Sequence, residues 1–225
     1  MGDRAEAKRL HQECLSLRRE IGDRAGIASS LLNLATVTTN LGEYAESESL
    51  LQQALAILSE FGDRRRMAAV YTNLGAVAHR TGRNAAAKEF YEHALALHRE
   101  TGLRMGIAIA LNNVGSAACD LGEFEQARTY LIQSLKEAKA NQLDFVALDA
   151  LVWIAALWQH EDKRERAVEL LALVLNHRAS DSESLVNARQ RLGQLTVELS
   201  ADQVQRAKER GRALTLEQAL DELIE

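Results

Sequence analysis

Shifting this chain by forty residues lays it on itself through four units with no insertion. Leu34, Leu74, Val114 and Ile154 share one column, and Ala35, Gly75, Gly115 and Ala155 share the next. Further columns hold Gly42, Gly82, Gly122 and Asp162, then Ser47, Ala87, Ala127 and Ala167, then Leu55, Leu95, Leu135 and Leu175. A period of this length belongs to chains built from one repeated supersecondary element, whose units bury their apolar surface on each other rather than in a single closed core. The residue types choose the element. Proline is absent from the 225 residues, aromatics make up 4%, and Ala, Leu, Glu and Arg are abundant, which favours helices throughout.

Each unit reads as two helices. In the first, Leu31, Leu34, Ala35 and Thr38, or Tyr71, Leu74, Gly75 and Ala78, follow the three-and-four spacing of one buried stripe. Gly42, Gly82 and Gly122 fall just past these stripes, where a left-handed residue closes a helix. A second amphipathic run follows, as in "YAESESLLQQALAIL" from Tyr44 or "FEQARTYLIQSL" from Phe124. The small residues Gly75, Gly115, Ala87 and Ala127 let the paired helices approach closely. Such a hairpin cannot bury its stripes alone, so stacking on neighbours is required.

These residues resemble the tetratricopeptide repeat family. Its signature is Leu-Gly early in the first helix, Gly at the turn, then Ala, an aromatic or Leu, and Ala-Leu along the second. "YTNLGAVAHRTGRNAAAKEFYEHALAL", Tyr71 to Leu97, carries nearly all of it. The unit here is forty residues rather than about thirty-four, and the proline that usually ends the second helix is replaced by "GDR" at Gly22 and Gly62 and "GLR" at Gly102. In both respects the chain is similar to the longer-repeat subgroup of kinesin light chains and bacterial regulatory proteins. The resemblance implies an all-α fold, a right-handed α-solenoid of stacked antiparallel helix pairs with a C-terminal capping helix. It also implies a non-catalytic module that takes a protein or peptide ligand in a concave groove.

Phase predicts the boundaries. Residues 2–21 align with the second helix of a unit whose first helix is missing, Gly2 matching Gly42 and Leu15 matching Leu55. This predicts a piece cut from a longer protein, with an apolar edge at Leu10, Cys14 and Leu17 that invites self-association. Full repeats are expected over 22–61, 62–101, 102–141 and 142–180. Over 181–225 come a degenerate unit with "RLGQL" and two short helices opened by capping boxes, Ser200 with Gln203 and Thr215 with Gln218. All of this is expected to form one solenoid domain. The tail "QRAKERGRALTLEQALDELIE" is similar to the C-terminus of many bacterial regulators of the STAND class, signal-transduction ATPases that carry repeats after a nucleotide-binding core. That resemblance implies the ligand-sensing end of a larger regulatory ATPase.

Several functions are excluded by what the sequence contains. A net charge of −5 argues against a broad phosphate-binding surface, and Arg64, Arg65 and Arg66 read as a solvated helix start, so no nucleic-acid partner is expected. With no signal core and no run of about 18 apolar residues, a reduced, cytoplasmic chain without a membrane partner is expected. There is no GxxxxGK[ST], HExxH or GxSxG and no GxGxxG after a strand, so neither a catalytic residue nor a cofactor is expected. His79, Cys119 and His160 lie on equivalent faces of three successive first helices. Helices about 8–10 Å apart would struggle to bring these side chains onto one zinc at about 2.0–2.3 Å, so they read as polar groove residues and no metal is expected.

One column resists a folding explanation. Asn33, Asn73 and Asn113 recur in phase, although Asn is less favourable than Ala by about 0.5 kcal/mol inside a helix. At 100° per residue Asn33 points roughly 150° away from the buried stripe. By the family resemblance it faces a groove floor, with small neighbours such as Thr36 one turn on. Asn112 lies beside this row, Trp153 interrupts it, and the rim runs Asn40, Arg80, Asp120, His160. Three readings follow: a grip on an extended peptide backbone, a structural ladder of Asn amides bonding one another, or a small-molecule site in which Trp153 stacks on a ring.

Overall fold

The computed structural model describes residues 2–224, among which there are twelve helices and no strand. In chain order they are α1 (Gly2–Glu20), α2 (Arg24–Leu41), α3 (Tyr44–Phe61), α4 (Arg64–Arg80), α5 (Asn84–Thr101) and α6 (Arg104–Asp120). These are followed by α7 (Phe124–Ala140), α8 (Asp144–His160), α9 (Arg164–Asn176), α10 (Ser182–Glu198), α11 (Ala201–Ala213) and α12 (Leu216–Ile224). They fall into two compact units, Met1–Gly102 and Leu103–Glu225. No described helix is long and apolar enough to cross a membrane.

The helices are cut at a beat of twenty residues, half the repeat. Gly22, Gly42, Gly62, Gly82, Gly102 and Gly122 all take a positive φ, and Gln142 (55°) and Asp162 (63°) continue the series without glycine. A left-handed residue turns the chain back within two or three residues, and the amides that follow it bond to the carbonyls the helix leaves unpaired. After Gly42, for example, Glu43 N–H donates to Thr38 O at 2.9 Å. "GDR" restarts the next helix: Asp23 caps the amide of Gly26 at 2.9 Å and Asp63 that of Arg66 at 3.0 Å. That is why this motif serves where proline usually stands.

Within each unit the helices stack as antiparallel pairs, as the repeat predicts. In the first unit α2 pairs with α3 and α4 with α5, α1 lies on α2, and α3 lies on α4. Leu31, Leu34, Leu51, Leu58, Leu74 and Val77 make its core. At Gly75 a Cβ would collide with the ring of Tyr91, so glycine is what lets α4 and α5 approach. In the second unit α6 pairs with α7 and α8 with α9 around Leu131, Leu135, Leu151, Ile154 and Leu171. Gly115 repeats the device against Leu131, whose Cγ lies 2.7 Å from where a Cβ would be. The first helices also touch their successors: α2 on α4, α6 on α8, and α8 on α10.

The tail folds back instead of continuing the stack. The Ser200/Gln203 capping box starts α11, which packs on α9 so tightly at Gly211 that a Cβ there would strike the backbone carbonyl of Glu169. Arg210 seals the contact, donating from Nε to Glu169 at 2.5 Å and from Nη2 to Glu165 at 2.9 Å. The second box is formed too, Gln218 N–H donating to Thr215 Oγ1 at 3.2 Å. α12 then returns to α7 and α8 through Leu216, Ala219 and Leu220, with ion pairs Lys139–Asp221 and Arg166–Glu222 at its edges. Val186, Gly193 and Val197 of α10 remain exposed.

Candidate binding surface

The first helices carry every position singled out from the repeat. In the first unit Asn33, Thr36 and Asn40 are exposed on α2, and on α4 Asn73 and His79 are half-buried and Arg80 exposed. The Thr36 hydroxyl is spent on its own helix, donating to Leu32 O at 3.1 Å. Among the described residues no hydrogen bond joins the side-chain amides of Asn33 and Asn73 to each other or to anything else. The link between α2 and α4 is made by Arg66, which reaches Ala25 O and Ser29 Oγ, both at 3.2 Å. An Asn ladder is therefore not what holds these helices together.

In the second unit the same surface is built differently. Asn113 is half-buried and its side-chain amide also lacks a partner among the described residues, while Asp120 is exposed. Asn112 is buried and turned into the helix packing: its Nδ2 donates to Asp149 Oδ2 at 2.5 Å. Ser184 Oγ of α10 donates to Asp149 Oδ1 at 3.1 Å, so one carboxylate joins α6, α8 and α10. Burial pushes Asp149 up to about 6, with Asn112 and Ser184 opposing that rise. The Oδ1 of Asn112 has no hydrogen-bond partner among the described residues.

Trp153 is only 8% exposed, and the Arg191 guanidinium lies 4.3 Å from its ring centroid. The face expected to receive a guest ring is thus already covered by a cation. Burial pulls Arg191 down, opposed by Asp120, Cys119 and Asp149 nearby. Cys119 is an inert thiol, pushed up to about 12 by burial. His160 stacks on Phe124 with ring centroids 3.7 Å apart. His79, in the first unit, is no part of that pair.

Asp149, Ser184 and Arg191 do not emerge from the repeat columns. Asp149 did leave a signal, as the lone charge inside the apolar run from Val146 to Trp158. Ser184 and Arg191 left none, because the forty-residue register is lost after His177.

Models of the tetratricopeptide repeat family match residues 1–60 and 26–100, and another of the same family matches 107–140. No curated protein matches the chain. Among solved structures it is similar to BtubC (BKLC) from P. vanneervenii, with 20% identity and a TM-score of 0.72 over 97% of this chain and 92% of that one. It is also similar to the nearly identical TPR-like repeats of a kinesin light chain from P. anserina, with 18% identity and a TM-score of 0.62 over 84% of this chain and 89% of that one. At these identities the likeness is one of fold. Stacked helix pairs with glycine at the crossing points, together with family matches over residues 1–100 and 107–140, mean that the chain belongs to the tetratricopeptide repeat family.

Proposed function

We propose that this chain is a non-catalytic protein-interaction module whose first-helix surface holds an extended segment of a partner. The observation that carries this is the set of side-chain amides at Asn33, Asn73 and Asn113, recurring every forty residues with no partner among the described residues. An amide donates and accepts at once, so it pairs with a peptide unit whatever the guest's sequence. Within the first unit Asn33 and Asn73 form two rungs; at the usual helix spacing of about 10 Å an extended guest meets a rung every three residues or so. Asn113 offers the same group in the second unit. Within the first unit the rim residues Asn40 and Arg80 differ in charge and bias the guest toward one orientation.

The similarity of the α11–α12 sequence to the ends of STAND-class regulators supports a finer reading: the module is the sensing part of a larger bacterial regulatory ATPase, acting in the cytoplasm. The small-molecule reading is the weaker one, since Arg191 occupies the ring face of Trp153. The test is selection of extended peptides on the immobilised chain, followed by titration calorimetry against the wild type and an Asn33→Ala/Asn73→Ala/Asn113→Ala variant. Equal affinity for both would dismiss the amide grip.

A further inference from the structure

Trp153 stands in the Asn column, forty residues after Asn113, where the row of amides gives way to a ring. The Arg191 guanidinium covers that ring at 4.3 Å, yet among the described residues none of its five N–H groups donates a hydrogen bond. Asp120 of α6 and Asp149 of α8 favour its charge through space, while burial opposes it. Asp149 lies one turn before Trp153 on the same face of α8, and Asp181 and Glu183 of α10 add further negative charge beside Asp149. Arg191 is half-buried. The fully enclosed side-chain atoms without a partner are His98 Nδ1 and Asn112 Oδ1 among the described residues, so the Arg191 nitrogens are reached from solvent.

An aromatic face flanked by carboxylates is a receptor for a cation, and its present occupant comes from the chain itself. We propose that Arg191 is an internal stand-in for an arginine of the partner segment, which displaces it from Trp153 when the segment binds. This rests on the reading of the first-helix surface as the seat of an extended segment, and it gives that segment a specificity. A guest guanidinium fits because the space over the ring is shaped around one, and a planar cation lies flat on an indole. Displacement is feasible because Arg191 is held by the ring and by through-space attraction, without the hydrogen bonds that would repay its burial. What it regains in hydration on leaving offsets what the incoming cation gives up. An acidic guest side chain is repelled by Asp120 and Asp149. With helices spaced by about 10 Å and an extended guest rising about 3.3 Å per residue, the arginine lies roughly three residues from the peptide unit gripped by Asn113.

Titration calorimetry on the full chain tests this with capped peptides of Gly, Ser and Thr, long enough to pass both Asn113 and Trp153, that carry one central Arg, citrulline or Glu. The wild type prefers Arg over citrulline, its neutral isostere, at least fivefold and binds the Glu peptide most weakly. Arg191→Ala removes the competitor, so this variant binds the Arg peptide at least threefold more tightly than the wild type does. Asp120→Asn, at an exposed position, lowers the preference for Arg at least twofold. Where Arg191→Ala loses the wild-type circular dichroism, Arg191→Gln removes the charge and carries the same comparison. A wild type that treats Arg and citrulline alike overturns the proposal, and so does a folded Arg191 variant with no gain for the Arg peptide. Tightest binding of the Glu peptide by the wild type overturns it too, since Arg191 is then a receptor for anions. No binding to either protein at millimolar peptide has the same force. Asn113→Ala separates this from the amide grip: undiminished affinity with the Arg preference intact dismisses the grip and keeps the cation site, whereas equal weakening of all three peptides with no preference among them does the reverse.

Discussion

Asn112 donates its Nδ2 hydrogen to Asp149 Oδ2 at 2.5 Å, while its own Oδ1 accepts from nothing among the described residues. The pair joins two neighbouring first helices, and Ser184 extends it to a third. A carboxylate in that position is costly when ionised, because its bonds to an amide and a hydroxyl replace only part of the water it has lost.

A pH dependence of stability follows. The folded state raises the pKa of Asp149 from 3.8 to about 6 through burial, so between those values the native chain binds more protons than the unfolded one and this group's contribution to stability falls as pH rises. The loss is on the order of 2–3 kcal/mol, complete above the folded pKa. Asp149→Asn removes this group's share of the slope. Urea titrations from pH 4 to pH 7 on both proteins check this, and the difference between their stabilities should shift in favour of the variant toward neutral pH.

The Asn column makes a prediction of sign. Replacing Asn33, Asn73 and Asn113 by Ala leaves the melting temperature unchanged or raises it, since Ala is favoured by about 0.5 kcal/mol per helical site. Peptide binding weakens by about 0.5–1.5 kcal/mol for each hydrogen bond lost. A clearly lowered melting temperature would show that the amides hold the fold together.

Glycine substitutions separate two costs. Gly62→Ala meets no atom within 4 Å but must sit at φ 64°, a backbone penalty of about 1–2 kcal/mol. Gly211→Ala has an ordinary helical backbone but drives its methyl into the Glu169 carbonyl, an overpacking cost of about 1–3 kcal/mol. Hydrogen exchange tells them apart: the first weakens the first unit around the α3–α4 turn, and the second loosens α11 selectively.

Arg191→Ala uncovers Trp153. Loss of the guanidinium from the ring face costs about 1–2 kcal/mol. In a Trp158→Phe background, the emission of Trp153 moves to longer wavelength and iodide quenching increases. An unchanged spectrum would mean that other groups shield the ring.

Much of this protein is legible in its sequence, for a local reason. The twenty-residue beat follows from residues that accept a positive φ, and the pairing of helices from small residues at fixed places such as Gly75 and Gly115. Each of these is a short-range consequence of one residue's shape, repeated until its phase cannot be mistaken. The Asn column is legible in the same way, because the direction of a side chain on a helix follows from its position alone.

What needed the tertiary structure lies where the repeat ends. After His177 no column assigns Ser184 or Arg191 a neighbour, so neither the three-helix link through Asp149 nor the cover on Trp153 could be read from spacing. Gly193 has the sequence of a crossing glycine and Gly211 has no repeat context at all, yet it is Gly211 that meets a backbone. Whether a glycine is a contact or a gap depends on which helix comes to it. That choice was made by long-range packing: α11, with Val204, Ala207 and Gly211 buried, packs on α9, and α10 keeps one face exposed at Val186, Gly193 and Val197.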